Sequence, residues 1–121
     1  MSITYIEAIR HAQETALKDD PDVFIYGQDI GAFGGAFKAT KGLHDKYPDR
    51  VIDAPISEDA MAGLAIGAAI EGMRPIIEMQ FADFSTVAFN QIVNQAATHY
   101  WRTNVPCPIT IRLPSGGTPG S

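Results

Sequence analysis

An α/β fold, a three-layer doubly wound parallel sheet with helices on both faces, is the class this sequence predicts. Three observations lead there. Short apolar runs such as Val23-Phe24-Ile25-Tyr26 and Pro75-Ile76-Ile77-Glu78-Met79 read as strands buried on both faces. Segments with helical spacing separate those runs throughout, and such alternation implies right-handed crossovers and parallel pairing. The chain has 121 residues, 45% of them hydrophobic and 19% charged, which suits one ordered domain with a sizeable core, taken as residues 1–121.

The elements come in this order. Thr4-Tyr5-Ile6-Glu7 is a capping box, with Thr4 as cap and Glu7 three residues on. Apolar residues then recur at Tyr5, Ile9, Ala12 and Ala16, flanked by Ile6 and Leu17, so an amphipathic helix should end near Asp19-Asp20-Pro21. Val23 to Tyr26 is the first strand, and Gly27 to Phe37 a glycine-containing loop without the spacing of a phosphate- or dinucleotide-binding motif. Lys41 to Tyr47 reads as a short helical segment closed by Pro48, and Val51-Ile52-Asp53 as the second strand. Pro55 turns the chain, Ser57 is placed as an N-cap, and an Ala/Gly-rich helix should run from Glu58 to Glu71 with Gly72 as C-cap. The third strand is Pro75 to Met79, with a turn from Gln80 to Phe84. Phe89, Ile92, Val93, Ala96, Ala97, Tyr100 and Trp101 then form one stripe at helical spacing, expected to face the core. Ile109 to Leu113 is the fourth strand, and Pro114 to Ser121 is loop chemistry. Nothing caps that end, so a fragment of a larger polypeptide, or a piece needing a partner, is expected.

Charge and composition exclude several function classes. A net charge of −5, with nine scattered Lys and Arg residues, leaves no basic patch for nucleic acid. A single cysteine, Cys107, cannot form an internal disulfide and fits a reducing compartment; between Pro106 and Pro108 it reads as a packing residue. The longest apolar stretch, Ala60 to Ile70, is too short and too glycine-rich to span a membrane. No signal or transit peptide is evident ahead of the first helix, which makes the expected location cytoplasmic.

The candidate chemistry lies at the strand ends. His11, His44 and His99 fall in no metal-ligand spacing, and no nucleophile elbow occurs, so neither a metal site nor triad chemistry is expected. Gln28 and Asp29 follow the first strand, Glu58 the second, and Gln80 and Phe84 the third. In a parallel sheet these turns share one edge, where open α/β folds place ligands. Singly, each reads as an ordinary turn residue, and Glu58 and Asp59 as acids complementing a helix dipole. Together, a carboxylate, amides and an aromatic ring in an apolar cleft suit a flat heteroaromatic ligand, stacked on the ring and bonded through a ring nitrogen.

Six motifs then match one family in order: Gly27-Gln28-Asp29-Ile30-Gly31, Gly34-Gly35-Ala36-Phe37, Thr40-Lys41-Gly42-Leu43, Asp53-Ala54-Pro55-Ile56-Ser57-Glu58, Gly72-Met73-Arg74-Pro75 and Gln80-Phe81-Ala82-Asp83-Phe84. Over essentially its whole length the chain resembles the pyrimidine-binding, transketolase-like domain of the beta subunit of 2-oxo acid dehydrogenase decarboxylase components. That resemblance implies thiamine diphosphate as cofactor. Glu58 would be the glutamate that hydrogen-bonds and activates the aminopyrimidine ring, from a poorly solvated pocket. Phe84 would stack on that ring, and the Ile56 carbonyl, Gln80 and Gln28 would lie around it. The Ala/Gly helix behind Glu58 would permit close packing against another subunit. Magnesium and the diphosphate would be held mainly by a partner alpha subunit in a heterotetramer, and a lipoyl acyltransferase component would receive the acyl group. The activity implied is oxidative decarboxylation of pyruvate or a branched-chain 2-oxo acid, the isolated chain being inactive.

Two departures stand out. The family commonly has Gly-Glu-Asp where this chain has Gly27-Gln28-Asp29, and an amide cannot relay a proton between active sites as a carboxyl can. The family's active-site histidine and C-terminal domain, which come after the Gly116-Gly117 loop, are absent, so the resemblance covers an N-terminal portion. Alternatives at this point are an acetoin dehydrogenase-type subunit and a non-catalytic α/β interaction module.

Overall fold

The computed structural model describes residues 2–116. Helix α1 spans Tyr5–Asp19 and opens with the expected reciprocal cap: the Glu7 N–H donates to Thr4 Oγ1 at 3.3 Å and the Thr4 N–H to Glu7 Oε2 at 2.7 Å. Strand β1 is Val23–Gly27, helix α2 Leu43–Lys46 and strand β2 Val51–Asp53. Helix α3 is Glu58–Ile70, strand β3 Arg74–Glu78, helix α4 Ala97–Thr103 and strand β4 Thr110–Arg112. A 3₁₀ turn at Ala82–Thr86 and a π-helical turn at Gln91–Ala96 precede α4. The loop reading of Pro114 to Ser121 lies, from residue 117 onward, outside the described residues.

The sheet is four-stranded and all parallel, in the order β2-β1-β3-β4. Its register lines Ile25 up with Val51 on one side and Ile76 on the other. Alternation along each strand divides the core in two. Val23, Ile25 and Val51 pack with Leu17 of α1 and Leu43 of α2 on one face. Ile77 packs with Met61, Ala62 and Ala65 of α3 on the other, against Tyr26, Ile92 and Ile111. This is the three-layer, doubly wound arrangement read from the sequence. Pro75 sits in a central strand without penalty: the Arg74 N–H donates to Asp22 O, so position 75 points to the other side, and β4 pairing begins only at Ile76.

Several local expectations change. In α1 the buried line runs through Gln13 and Leu17, while Tyr5 and Ala12 are exposed. Only the C-terminal half of that helix lies on the sheet. Its start overhangs a groove of about 730 Å³ lined by Tyr5, Ile6, Ile9, Phe37, Phe81 and Arg112. Helix α2 begins two residues later than expected because Gly42 is left-handed (φ 77°). Ser57 occupies the N-cap of α3, but its side chain makes no cap bond; with φ −164° and ψ 82° its hydroxyl reaches no first-turn N–H. Glu71 is the C-cap, one residue before the predicted Gly72. Gly72 (φ 98°) closes the helix in a Schellman motif, donating to Ala69 O while Met73 donates to Ala68 O.

The largest correction concerns the aromatic stripe. Phe89, Tyr100 and Trp101, expected in the core, are 61%, 60% and 85% exposed. Phe89 precedes the π turn at Gln91–Ala96; for Tyr100 and Trp101 that turn is the cause. Its Ala97 N–H bonds Ile92 O, five residues back, which inserts one residue into the helix and rotates the downstream side chains by roughly 100°. Ile92 therefore packs in the core, and Tyr100 and Trp101 turn away from it. On this basis Trp101→Ser should change the urea unfolding free energy by less than about 0.5 kcal/mol. Leu17→Ala, in the closed core, should cost about 2–5 kcal/mol. Comparable losses for both would restore the stripe to the core.

Candidate functional site

The strand ends are fixed before any functional side chain is placed. Gly27, the last residue of β1, has to be glycine, because a Cβ there would lie 2.5 Å from Glu78 O of the adjoining strand. The chain then reverses through Asp29, left-handed at φ 55°, whose carbonyl accepts from the Gly35 N–H at 2.8 Å. Asp53, last residue of β2, accepts the Gly31 N–H at 2.8 Å, and Thr40 Oγ1 donates to Ile30 O at 2.8 Å. The glycine loop is thus a pinned turn. Asp53 is a determinant the sequence did not single out, although its place at a strand end, one turn from a loop of donors, was visible.

Glu58 begins α3 behind this turn and is only 8% exposed. Gln28, 4% exposed, donates from Nε2 to Glu58 Oε1 at 2.9 Å and approaches Met61 Sδ at 3.7 Å. Among the described residues no hydrogen bond reaches Glu58 Oε2. Next to this pair, Gln80 Nε2 donates to Asp29 Oδ2 at 2.9 Å. The structure therefore joins Gln28 to Glu58 and Gln80 to the residue following Gln28. Phe84 stands in the 3₁₀ turn, 38% exposed, with its ring edge-on to Phe81 at 5.8 Å; Phe81 in turn meets Phe37 at 5.7 Å. Ile56 is 84% exposed on the approach to α3. No ring contact or hydrogen bond joins Phe84 or the Ile56 side chain to Glu58 among the described residues, and none of the five predicted residues lines the large groove beside α1.

Among the described residues, no cluster of three or more His, Cys, Asp or Glu side chains could hold a metal ion. No helix among them is long and apolar enough to cross a membrane. Helix α3 meets its own chain through Gly63, where a Cβ would lie 3.6 Å from the Gln91 side chain, while Gly67 faces open space.

A family model described as transketolase, pyrimidine binding domain, matches residues 1–120. The chain belongs to this family. It is 49% identical over 118 residues to the 2-oxoisovalerate dehydrogenase subunit beta of Bacillus subtilis, covering 95% of this chain and 36% of the relative. The pyruvate dehydrogenase E1 component subunit beta of Mycoplasma pneumoniae is 51% identical over 115 residues, covering 93% of this chain and 35% of the relative. A Pseudomonas aeruginosa 2-oxoisovalerate dehydrogenase subunit beta is 44% identical over 119 residues, with 96% and 34% covered. This pyrimidine-binding domain spans about a third of the length of the relatives it matches.

One buried charge in the domain escaped the sequence reading. Glu78 of β3 is 3% exposed and stands in register with Arg112 of β4, Oε1 lying 3.4 Å from Nη1. Among the described residues, Glu78 Oε2 and Arg112 Nε and Nη1 find no hydrogen-bond partner. Burial pushes the Glu78 carboxyl above the ordinary carboxylate range, and the Arg112 guanidinium only partly offsets it. The folded chain thus binds this proton more tightly than the unfolded chain. The group's stabilising contribution is fully present below the ordinary range and is lost as pH rises through the raised value. Glu78→Gln, which keeps an acceptor for Arg112, should gain stability over the parent as the pH is raised from acid to neutral. Urea unfolding at a series of pH values checks this; a pH-independent difference would contradict it.

Proposed function

We propose that this domain supplies the pyrimidine side of a thiamine diphosphate site in a heteromeric 2-oxo acid dehydrogenase. The observation that carries the proposal is Glu58: a buried carboxylate at the carboxyl edge of a parallel sheet, one oxygen held by Gln28 and the other accepting nothing from the described residues. That donor set fits an aminopyrimidine, which offers a ring nitrogen to a carboxyl group and a flat face to an aromatic side chain. When bound, the cofactor supplies the carbanion chemistry that decarboxylation of a 2-oxo acid needs.

Each residue then has a physical role. Glu58 Oε2 shares a proton with the ring nitrogen, and the apolar start of α3, with Met61 and Ala62 behind it, keeps water from competing for that bond. Phe84, partly exposed on its 3₁₀ turn, offers the stacking face. The Ile56 carbonyl and Gln80 border the same edge, Gln80 through its bond to Asp29. The names of the relatives support pyruvate or a branched-chain 2-oxo acid as substrate. The same names, "subunit beta", support a partner alpha subunit in a heterotetramer, which would hold the magnesium and diphosphate. A lipoyl acyltransferase would accept the product acyl group, in the cytoplasm.

The test uses the beta chain assembled with its alpha partner. Glu58→Gln should lower kcat by about 10²-fold or more, the usual contribution of a positioned proton-transfer group. Phe84→Ala should weaken thiamine diphosphate binding about tenfold, the loss of one stacking contact. Full turnover by Glu58→Gln would refute the assignment.

A further inference from the structure

We infer that Gln28 is a positioning residue for Glu58: its amide engages Oε1 as an acceptor and leaves Oε2 as the oxygen offered to a ligand, the only one of the two that can carry a proton. What Oε2 is offered to rests on the cofactor reading above; the clamp itself rests on this chain's own atoms.

An amide has a donor end and an acceptor end of nearly the same shape, so its neighbours decide which way it faces. Gln28 Nε2 lies 2.9 Å from Glu58 Oε1 and 3.7 Å from Met61 Sδ. A thioether sulfur can only accept. The NH₂ end therefore faces both, and a donor facing Oε1 is satisfied only if that oxygen accepts. A proton on Oε1 would set donor against donor, so a proton on Glu58 has its place on Oε2. The bond is shielded as well, since Gln28 and Glu58 are 4% and 8% exposed, and a donor to a buried charge is worth more than one in water.

Among the described residues nothing else performs this task. Asp59, next on α3, accepts from Gln91 at 3.5 Å, and Asp29, on the β1 turn, accepts from Gln80. The π turn packed on α3 carries only amides and apolar side chains. Among the described residues no Lys, Arg or His comes within ion-pair distance of Glu58. The Gln28 amide is the one hydrogen bond the Glu58 side chain receives from them. It is held in advance: Gly27 is fixed against β3, and Asp29 is tied by its carbonyl to Gly35 and by its carboxylate to Gln80. A glutamate at position 28 could hold Oε1 only by sharing a proton; the amide holds it at any pH.

The experiment follows the Glu58 carboxyl carbon by ¹³C NMR through an acid-to-neutral titration of the full chain, without cofactor. In Gln28→Met, close in volume but without a donor, Glu58 should bind its proton at least about tenfold more tightly than in the parent. In Gln28→Glu the two carboxyls should titrate in two coupled steps, one proton being shared. In the assembled enzyme both variants should move the acid limb of the kcat profile to higher pH, with KM for the 2-oxo acid unchanged. A Glu58 titration unmoved by Gln28→Met, or two independent steps in Gln28→Glu, would overturn the inference; an unmoved kcat profile alongside the NMR shifts would count against the cofactor reading instead. Failure of the cofactor reading shows separately, as full turnover by Glu58→Gln alongside the NMR shifts.

Discussion

A carboxylate removed from water has to find a donor, and the bond from Gln28 to Glu58 is where this fold meets that demand. It ties the end of β1 to the start of α3 across 30 residues of sequence, and it is buried on both sides. The rest of the sheet edge is arranged around it. Gly27 lets β1 and β3 close to a distance no side chain would allow, Asp29 takes a left-handed turn, and Asp53 draws the glycine loop down onto β2. Each of these fixes Gln28 before any ligand arrives, which is what preorganisation means in structural terms.

The two buried carboxylates of the domain make an instructive pair. Glu58 has a well-aligned neutral donor at 2.9 Å. Glu78 has a full positive charge at 3.4 Å but no hydrogen bond, and Oε2 and two guanidinium nitrogens are left without partners among the described residues. Burial dominates there and raises the Glu78 proton affinity despite the cation. At Glu78 a nearby but poorly aligned charge does not offset the burial. The Gly35 position, where a Cβ would sit 3.3 Å from Glu78 Oε1, shows how closely the glycine loop covers that charge.

What could be read in the sequence was what depends on near neighbours or on period. The Thr4 and Glu7 cap is a contact three residues long, and it forms as read. The strands emerged because runs buried on both faces are apolar at every position, and alternation with helices then placed Gln28, Glu58 and Gln80 on one edge. Register was not legible. Nothing local says that Glu78 will face Arg112, 34 residues on, or that Gln28 rather than Gln80 will reach Glu58. The aromatic stripe failed for a sharper reason. Its spacing is right for a 3.6-residue helix, and a single extra residue in the π turn cancels the pattern beyond it.

That failure bears on how the site is completed. The same π turn packs against α3, with Gln91 reaching Asp59 beside Glu58 and lying over Gly63. It then sends Tyr100 and Trp101 outward, with Phe89 exposed just before it. Three large aromatic side chains held out of the core on one helical segment are costly for a chain that stays alone, because each forgoes burial worth about 1.5–3 kcal/mol. Under the proposed reading that unused burial is recovered on assembly, by a segment whose first turn braces the start of α3.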